Sequence, residues 1–240
     1  MRFPLLFSIL LILCSCTQPQ KKVSLKRAKK PKIEVTKPCT LEDSLSYWGL
    51  VNIQDIDSNI KVNLRYSGLN NFLKTDLYQC LQSAYLQKDV AKKLSVAQNE
   101  LTKIDSNLHL LIWDAVRPRS IQRKMWNSLK MPFQEKVRYV SNPRNGSIHN
   151  YGCAVDLTIC RKNGTVLDMG TDFDHFGTSA NINAEWKLLM DEVLEYTQID
   201  NRKLLRKVMK NAGFSTISSE WWHFNSCSRC VAKTKYRLIE

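Results

Sequence analysis

Two short stretches that lie far apart in the chain, SIHNYGCAVDLTI at 147–159 and SSEWWHFN at 218–225, most constrain what it can fold into. CAVDLTI is apolar and β-branched, as suits a central strand. Strict alternation puts Ala154, Asp156 and Thr158 on one face and Cys153, Val155, Leu157 and Ile159 on the other. A carboxylate flanked by small side chains on its own face fits a ligand that needs room. His149 lies shortly before this strand, and His223 sits in the second stretch with Glu220 three residues earlier. If the stretches converge, two imidazoles and one carboxylate offer three metal ligands and leave a coordination position for water. A nearby carboxylate can take that water's proton, which is the minimum set for metal-assisted hydrolysis.

The rest of the chain is expected to build an α+β fold around that pair. Alternation of Ile60, Val62, Leu64 and Tyr66 predicts a half-buried strand, and helical spacing from Leu81 to Leu101 predicts a helix over 80–101. HLLIWDAVRP reads as a buried strand stopped by Pro118, with SIQRKMWNSLK as the helix that follows. EWKLLMDEVLEY and NRKLLRKVMKNAG read as two amphipathic helices, the second closed by Gly213. FSTISSEWWHFN then supplies a final strand pair carrying Glu220 and His223. Strands interleaved with helices, without a regular βαβ repeat, predict a mostly antiparallel sheet flanked by helices.

The N-terminus points to export. MRFPLLFSILLILCSC carries one cation and an apolar run too short for a membrane span, so residues 1–15 read as a signal segment. LCSC resembles the lipobox of bacterial lipoproteins, with Cys16 as the lipid-bearing residue, and predicts tethering to the cell envelope by acyl chains. Residues 16–40 form a basic linker: Thr17 to Thr40 holds Lys or Arg at eight positions against Glu34 alone, about half of the formal +14. Such a run reads as a solvated spacer able to adhere to anionic headgroups or wall polymers. Nucleic acid is not an expected partner for an exported chain, and the globular domain is expected over 41–240.

Of eight cysteines, Cys14 would leave with the signal and Cys16 would take lipid, so Cys39, Cys80, Cys153, Cys160, Cys227 and Cys230 remain. Six thiols in an oxidising compartment allow three bridges, with fifteen pairings open. Cys227 and Cys230 form an isolated CxxC whose expected role is structural bridging. Cys153 and Cys160 bracket the Asp156 strand and are candidates to brace it.

Five ordered segments, LRYSGLNNF, IWDAVRP, SIHNYGCAVDLT, MGTDFD and AGFSTISSEWWHF, resemble those of the D-Ala-D-Ala dipeptidases of peptidase family M15. These are related to the VanX enzyme of vancomycin resistance and lie within the zinc D,D-peptidases that share a fold with the hedgehog signalling domain. The resemblance runs from about Ile60 to Asn225. It implies one Zn2+ per subunit held by His149, Asp156 and His223, with Glu220 as general base. It further implies that Arg117 stabilises the oxyanion, that Tyr66 and Asp174 hold the substrate's ammonium end, and that Ser147 lies near its carboxylate end. Asp172, also in MGTDFD, is the alternative to Asp174, while His109 and His175 match no ligand position and are expected to be structural. The implied substrate is D-alanyl-D-alanine or a similar short D,D-dipeptide from peptidoglycan. For an enzyme outside the cytoplasm, the expected role is wall turnover or D-alanine salvage. A D,D-carboxypeptidase or endopeptidase with the same centre is the nearer alternative, less favoured by the forms of WDAVRP and EWWH. A non-catalytic zinc-containing wall-binding lipoprotein is the more distant one, and the presence of Glu220 and Arg117 speaks against it.

Overall fold

A computed structural model describes residues 39–240. The signal segment, Cys16 and the basic linker up to residue 38 lie outside the described residues. Cys39 and Thr40, the end of that linker, already belong to the folded unit, because Cys39 is bridged to Cys80 and Thr40 opens the first helix.

Seven strands are described: β1 (Val51–Asn52), β2 (Lys61–Val62), β3 (Tyr85–Leu86), β4 (Leu108–Asp114), β5 (Ala154–Arg161), β6 (Ser215–Thr216) and β7 (His223–Asn225). β1 and β3 pair antiparallel in a small ribbon, and the main sheet has the order β2-β4-β5-β7-β6. Its only parallel pair is β2 with β4; the other three ladders are antiparallel. The expected α+β class with a mostly antiparallel sheet therefore holds, with a mixed edge at β2.

β4 and β5 form the centre. Every residue of β4 is buried, as are all of β5 except Arg161, which fits strands that read as near-continuous apolar runs. Around the sheet run α1 (Thr40–Tyr47), α2 (Ile53–Ile56), α3 (Lys88–Ile104), α4 (Arg119–Ser128), α5 (Phe133–Lys136), α6 (Glu185–Met190), α7 (Tyr196–Asn211) and α8 (Arg229–Lys235). α3 and α7 pack on each other, and α3 covers β4 through Val90, Ala91, Leu94, Ala97 and Leu101. Gly213, at φ +84°, follows α7 in the left-handed conformation its sequence position predicted.

Three expected elements differ. The strand expected from Ile60 to Tyr66 stops at Val62 and gives way to a 3-10 turn at Arg65–Ser67, although Ile60, Leu64 and Tyr66 are all buried. Alternation there recorded burial rather than pairing: after the Asn63 N–H reaches the Ile112 carbonyl, the ladder of β4 shifts register between Ile112 and Asp114. The helix expected over 80–101 starts only at Lys88, because Tyr85 and Leu86 spend their backbone groups on β1. The EWKLLMDEVLEY helix ends at Met190, where Glu192 takes a positive φ of 57°.

Candidate metal centre

Register places the site. Asp156 on β5 stands opposite Asp114 at the end of β4 and opposite His223 at the start of β7, so three polar side chains form one row across adjacent strands. His149 enters from the 3-10 turn Ile148–Tyr151 that precedes β5. That turn is locally specified: Ser147 Oγ accepts from the His149 N–H, Asn150 Oδ1 accepts from the Ser147 N–H, and Gly152 closes it at φ +64°. A Cβ at Gly152 would stand 2.9 Å from Leu50 Cδ2, so the position needs glycine for space as well as conformation.

His149 Nε2, Asp156 Oδ1 and His223 Nδ1 form a triangle with edges of 3.2, 3.4 and 2.9 Å. Ligands about 2.0–2.1 Å from a tetrahedral ion stand roughly 3.3 Å apart, so the triangle matches one face of such a shell. The hydrogen bonds behind it set the imidazole tautomers. His149 Nδ1 donates to the Ala115 carbonyl at 2.7 Å, and His223 Nε2 donates to Asn225 Oδ1 at 3.0 Å. Each ring then turns a lone pair toward Asp156, and three buried acceptors converge on one point. Only a cation or a proton satisfies such a set. The directions of the ionisations agree. Burial alone would favour the neutral acid, yet the His149 and His223 side chains hold Asp156 well below the ordinary carboxylate range. Burial likewise opposes a charged His223, but its bond to Asp156 and the Asp156 and Glu220 charges raise it to about 9.

Glu220 lies in the connection into β7 rather than on the strand itself, with Oε2 3.9 Å from His223 Nδ1. It is beside the triangle without being part of it. Burial, together with Asp156, pushes its carboxyl above the usual range despite the opposing pull of His223. Arg117 is anchored by Asp114, whose Oδ2 accepts from Nε at 2.8 Å and also from Nη2, and Nη2 reaches Asp156 Oδ2 at 3.4 Å. Its guanidinium stands 5.2 Å from the Tyr66 ring centre. The Tyr66 hydroxyl donates toward Asp174, 3.1 and 3.0 Å from the two carboxylate oxygens. Asp174 itself is held at φ +59°, and burial beside Asp156 pushes its carboxyl up to about 8. Asp172 is exposed and faces Arg65 at 3.6 Å, away from this group.

Tyr66, Arg117, Ser147, His149, Asp156, Asp174, Glu220 and His223 all line one cavity of about 570 Å³. Every catalytic, ligand and substrate-binding residue expected from sequence is therefore brought to one place, while Cys16 lies outside the described residues. His175 lines the same cavity outside the triangle, while His109 is buried elsewhere and bonds the Asn59 carbonyl through Nδ1 at 2.9 Å. Four contributors were not singled out from sequence: Asp114, Tyr78, Asn150 and Asn225. Tyr78 donates to Asp114 Oδ1 at 2.5 Å, and Asn150 Nδ2 ties the Arg117 carbonyl to the His149 turn at 2.7 Å. The available signal was positional: Asp114 is an acid in an apolar strand three residues before Arg117, and Asn225 is two residues beyond His223 on the same strand face.

A Cys153–Cys160 bridge is ruled out. Both are unbridged, and seven residues of extended chain separate them by about 23 Å. Cys227 and Cys230 are unbridged as well.

The profile of the D-ala-D-ala dipeptidase family within the M15 peptidases matches residues 46–239. A D-alanyl-D-alanine dipeptidase of Escherichia coli K12 is 34% identical over 178 residues, covering 73% of this chain and 83% of the relative. One of Synechocystis is 26% identical over 176 residues, covering 62% and 71%, and one of Enterococcus faecalis is 24% identical over 192 residues, covering 73% and 90%.

Proposed function

This chain belongs to the D-Ala-D-Ala dipeptidases of the M15 metallopeptidases, and from that membership and the geometry of its cavity we propose how it hydrolyses D-alanyl-D-alanine. The convergence of three lone pairs, two from imidazoles and one from Asp156, beside the separate carboxylate of Glu220 carries the assignment. His149, Asp156 and His223 would hold the ion, and all-nitrogen-and-oxygen donors in a triangle of this size suit zinc. When bound, such an ion supplies Lewis acidity that lowers the pKa of water and polarises a carbonyl.

The chain's own residues do the rest. Glu220 accepts the proton of the attacking water and returns it to the leaving amine, a task helped by a carboxyl whose burial raises its basicity. Arg117, fixed in direction by Asp114, donates to the oxyanion of the tetrahedral intermediate, where one such donor contributes roughly a hundredfold in rate. The Tyr66–Asp174 pair receives the substrate's ammonium group, and its ionised form is stabilised when that cation arrives. Ser147 faces the carboxylate end of the dipeptide. A dedicated ammonium site favours a free dipeptide over the acylated stem peptide that a carboxypeptidase takes.

We further propose export, with residues 1–15 as signal, Cys16 as lipid anchor, the basic stretch from there to residue 38 as linker and a catalytic domain beyond. The apolar leader and LCSC support this, and the Cys39–Cys80 bridge is in keeping with an oxidising compartment. Among the described residues no helix is long and apolar enough to cross a membrane. Wall turnover or D-alanine salvage is the role that fits such a location. The test is a panel of D-Ala-D-Ala, its N-acetylated form and an acetylated tripeptide, each with zinc-loaded full-length protein. Release of D-alanine from the free dipeptide alone is expected, and cleavage confined to the acylated peptides would overturn the dipeptidase assignment.

A further inference from the structure

Cys153 immediately precedes β5, and Cys227 follows β7 by two residues. The Ala154–Asn225 pair and a 2.9 Å bond from the Ser226 N–H to the Cys153 carbonyl hold these segments side by side. Cys153 belongs to the buried core and Cys227 packs against that core, and after burial Cys227 is the neighbour that most raises the Cys153 thiol. Cys153 is buried, Cys227 half-buried and Cys230 exposed, and none of the three takes part in the chemistry above. We infer that Cys153 and Cys227 are a thiol–disulfide exchange site, oxidised by a small disulfide such as oxidised glutathione to a bridge that ties β5 to β7.

The exchange balances in two steps. Cys227, the more accessible thiol, attacks one sulfur of the oxidant as its thiolate, forms a mixed disulfide and releases one thiolate. Cys153 loses its proton to solvent and attacks Cys227 Sγ, which expels the second thiolate. Two cysteine thiols are oxidised, and one disulfide is reduced to two thiols. Burial and the neighbouring Cys227 push the Cys153 thiol up, which makes it the second reactant.

The position gives the bridge its consequence. Asp156 lies three residues after Cys153 and His223 four before Cys227, so the link would clamp the two stretches whose register builds the ligand triangle. Disulfides persist in oxidising compartments, and Cys39–Cys80 shows that this fold already carries one. The crosslink stands independently of the proposed hydrolysis; only its effect on the ion rests on that reading.

Full-length protein is equilibrated with oxidised glutathione, its free thiols are alkylated, and the unreduced digest is mapped by mass. A peptide pair joined through Cys153 and Cys227, with Cys230 alkylated, is expected. In the same buffer Cys227→Ser should melt about 10 °C below the parent, whereas Cys230→Ser should not. Cys227 joined to Cys230, or Cys153 recovered alkylated, would overturn the inference. Zinc release to a chelator should be about tenfold slower from the oxidised parent than from Cys227→Ser. A mapped crosslink with equal release rates would overturn the coupling to the site and leave the bridge standing.

Discussion

Asn225 does for His223 what the Ala115 carbonyl does for His149: each accepts a hydrogen bond from the far ring N–H and so turns the near lone pair inward. Asn225→Leu should therefore weaken zinc binding about 10- to 100-fold in a chelator competition, with the loaded enzyme turning over near the parent rate. Glu220→Gln should behave in the opposite way. It keeps shape and ion stoichiometry but cannot take a proton, so kcat should fall by about 10²–10⁴ while metal analysis still finds one ion per chain. The ligands and Glu220 were legible in sequence because their spacing repeats a chemical pattern. Asn225 and Asp114 were not, because each acquires its role only from a partner that another segment supplies: the imidazole turned toward Asp156 for one, the Arg117 fork beside Tyr78 for the other.

Asp174 depends on an element that does not touch the cavity. It sits in the loop between β5 and α6, and α7 fastens that loop through the buried Arg202, whose Nε donates to the Met169 carbonyl at 2.7 Å and Nη2 to the Ser179 carbonyl at 2.9 Å. Trp221 Nε1 donates to Thr171 Oγ1 at 2.7 Å as a further tie. Arg202→Met keeps much of the buried volume and releases both carbonyls. KM for the dipeptide should rise about tenfold or more with kcat changed less, since the ammonium pocket loosens while the ligand triangle stays in place; equal loss of both constants would refute this division. α7 itself was readable from its apolar period, but the period marks Arg202 only as one more cation. Its burial follows from a loop that sequence leaves without any period.

For the molecule as a whole, the site's charges set a pH dependence. His223 is raised from about 6.5 to about 9 and Asp174 from about 3.8 to about 8. A raised group binds its proton more tightly in the folded state, so each contributes stability that is complete below its unfolded value and is lost as pH climbs through its folded one. Metal-free protein should accordingly lose Tm between neutral pH and pH 9, and zinc affinity should climb over the same span, because binding must expel the His223 proton. Calorimetric titrations at several pH values, with proton release counted, check both. The Cys39–Cys80 bridge closes a separation of 41 residues, and Cys39→Ser with Cys80→Ser should cost about 4 kcal/mol in denaturant unfolding. By itself the sequence determined the element types with the strongest periods, the family segments and the side chains that do chemistry, because these are written in residue type and local spacing. Tertiary structure alone decided that Asp114, Asp156 and His223 share a row, that Cys39 pairs with Cys80, and that the run after Val62 leaves the sheet. Those outcomes follow from cross-strand register and from competition for backbone partners, which belong to pairs of segments and are not encoded in any one of them.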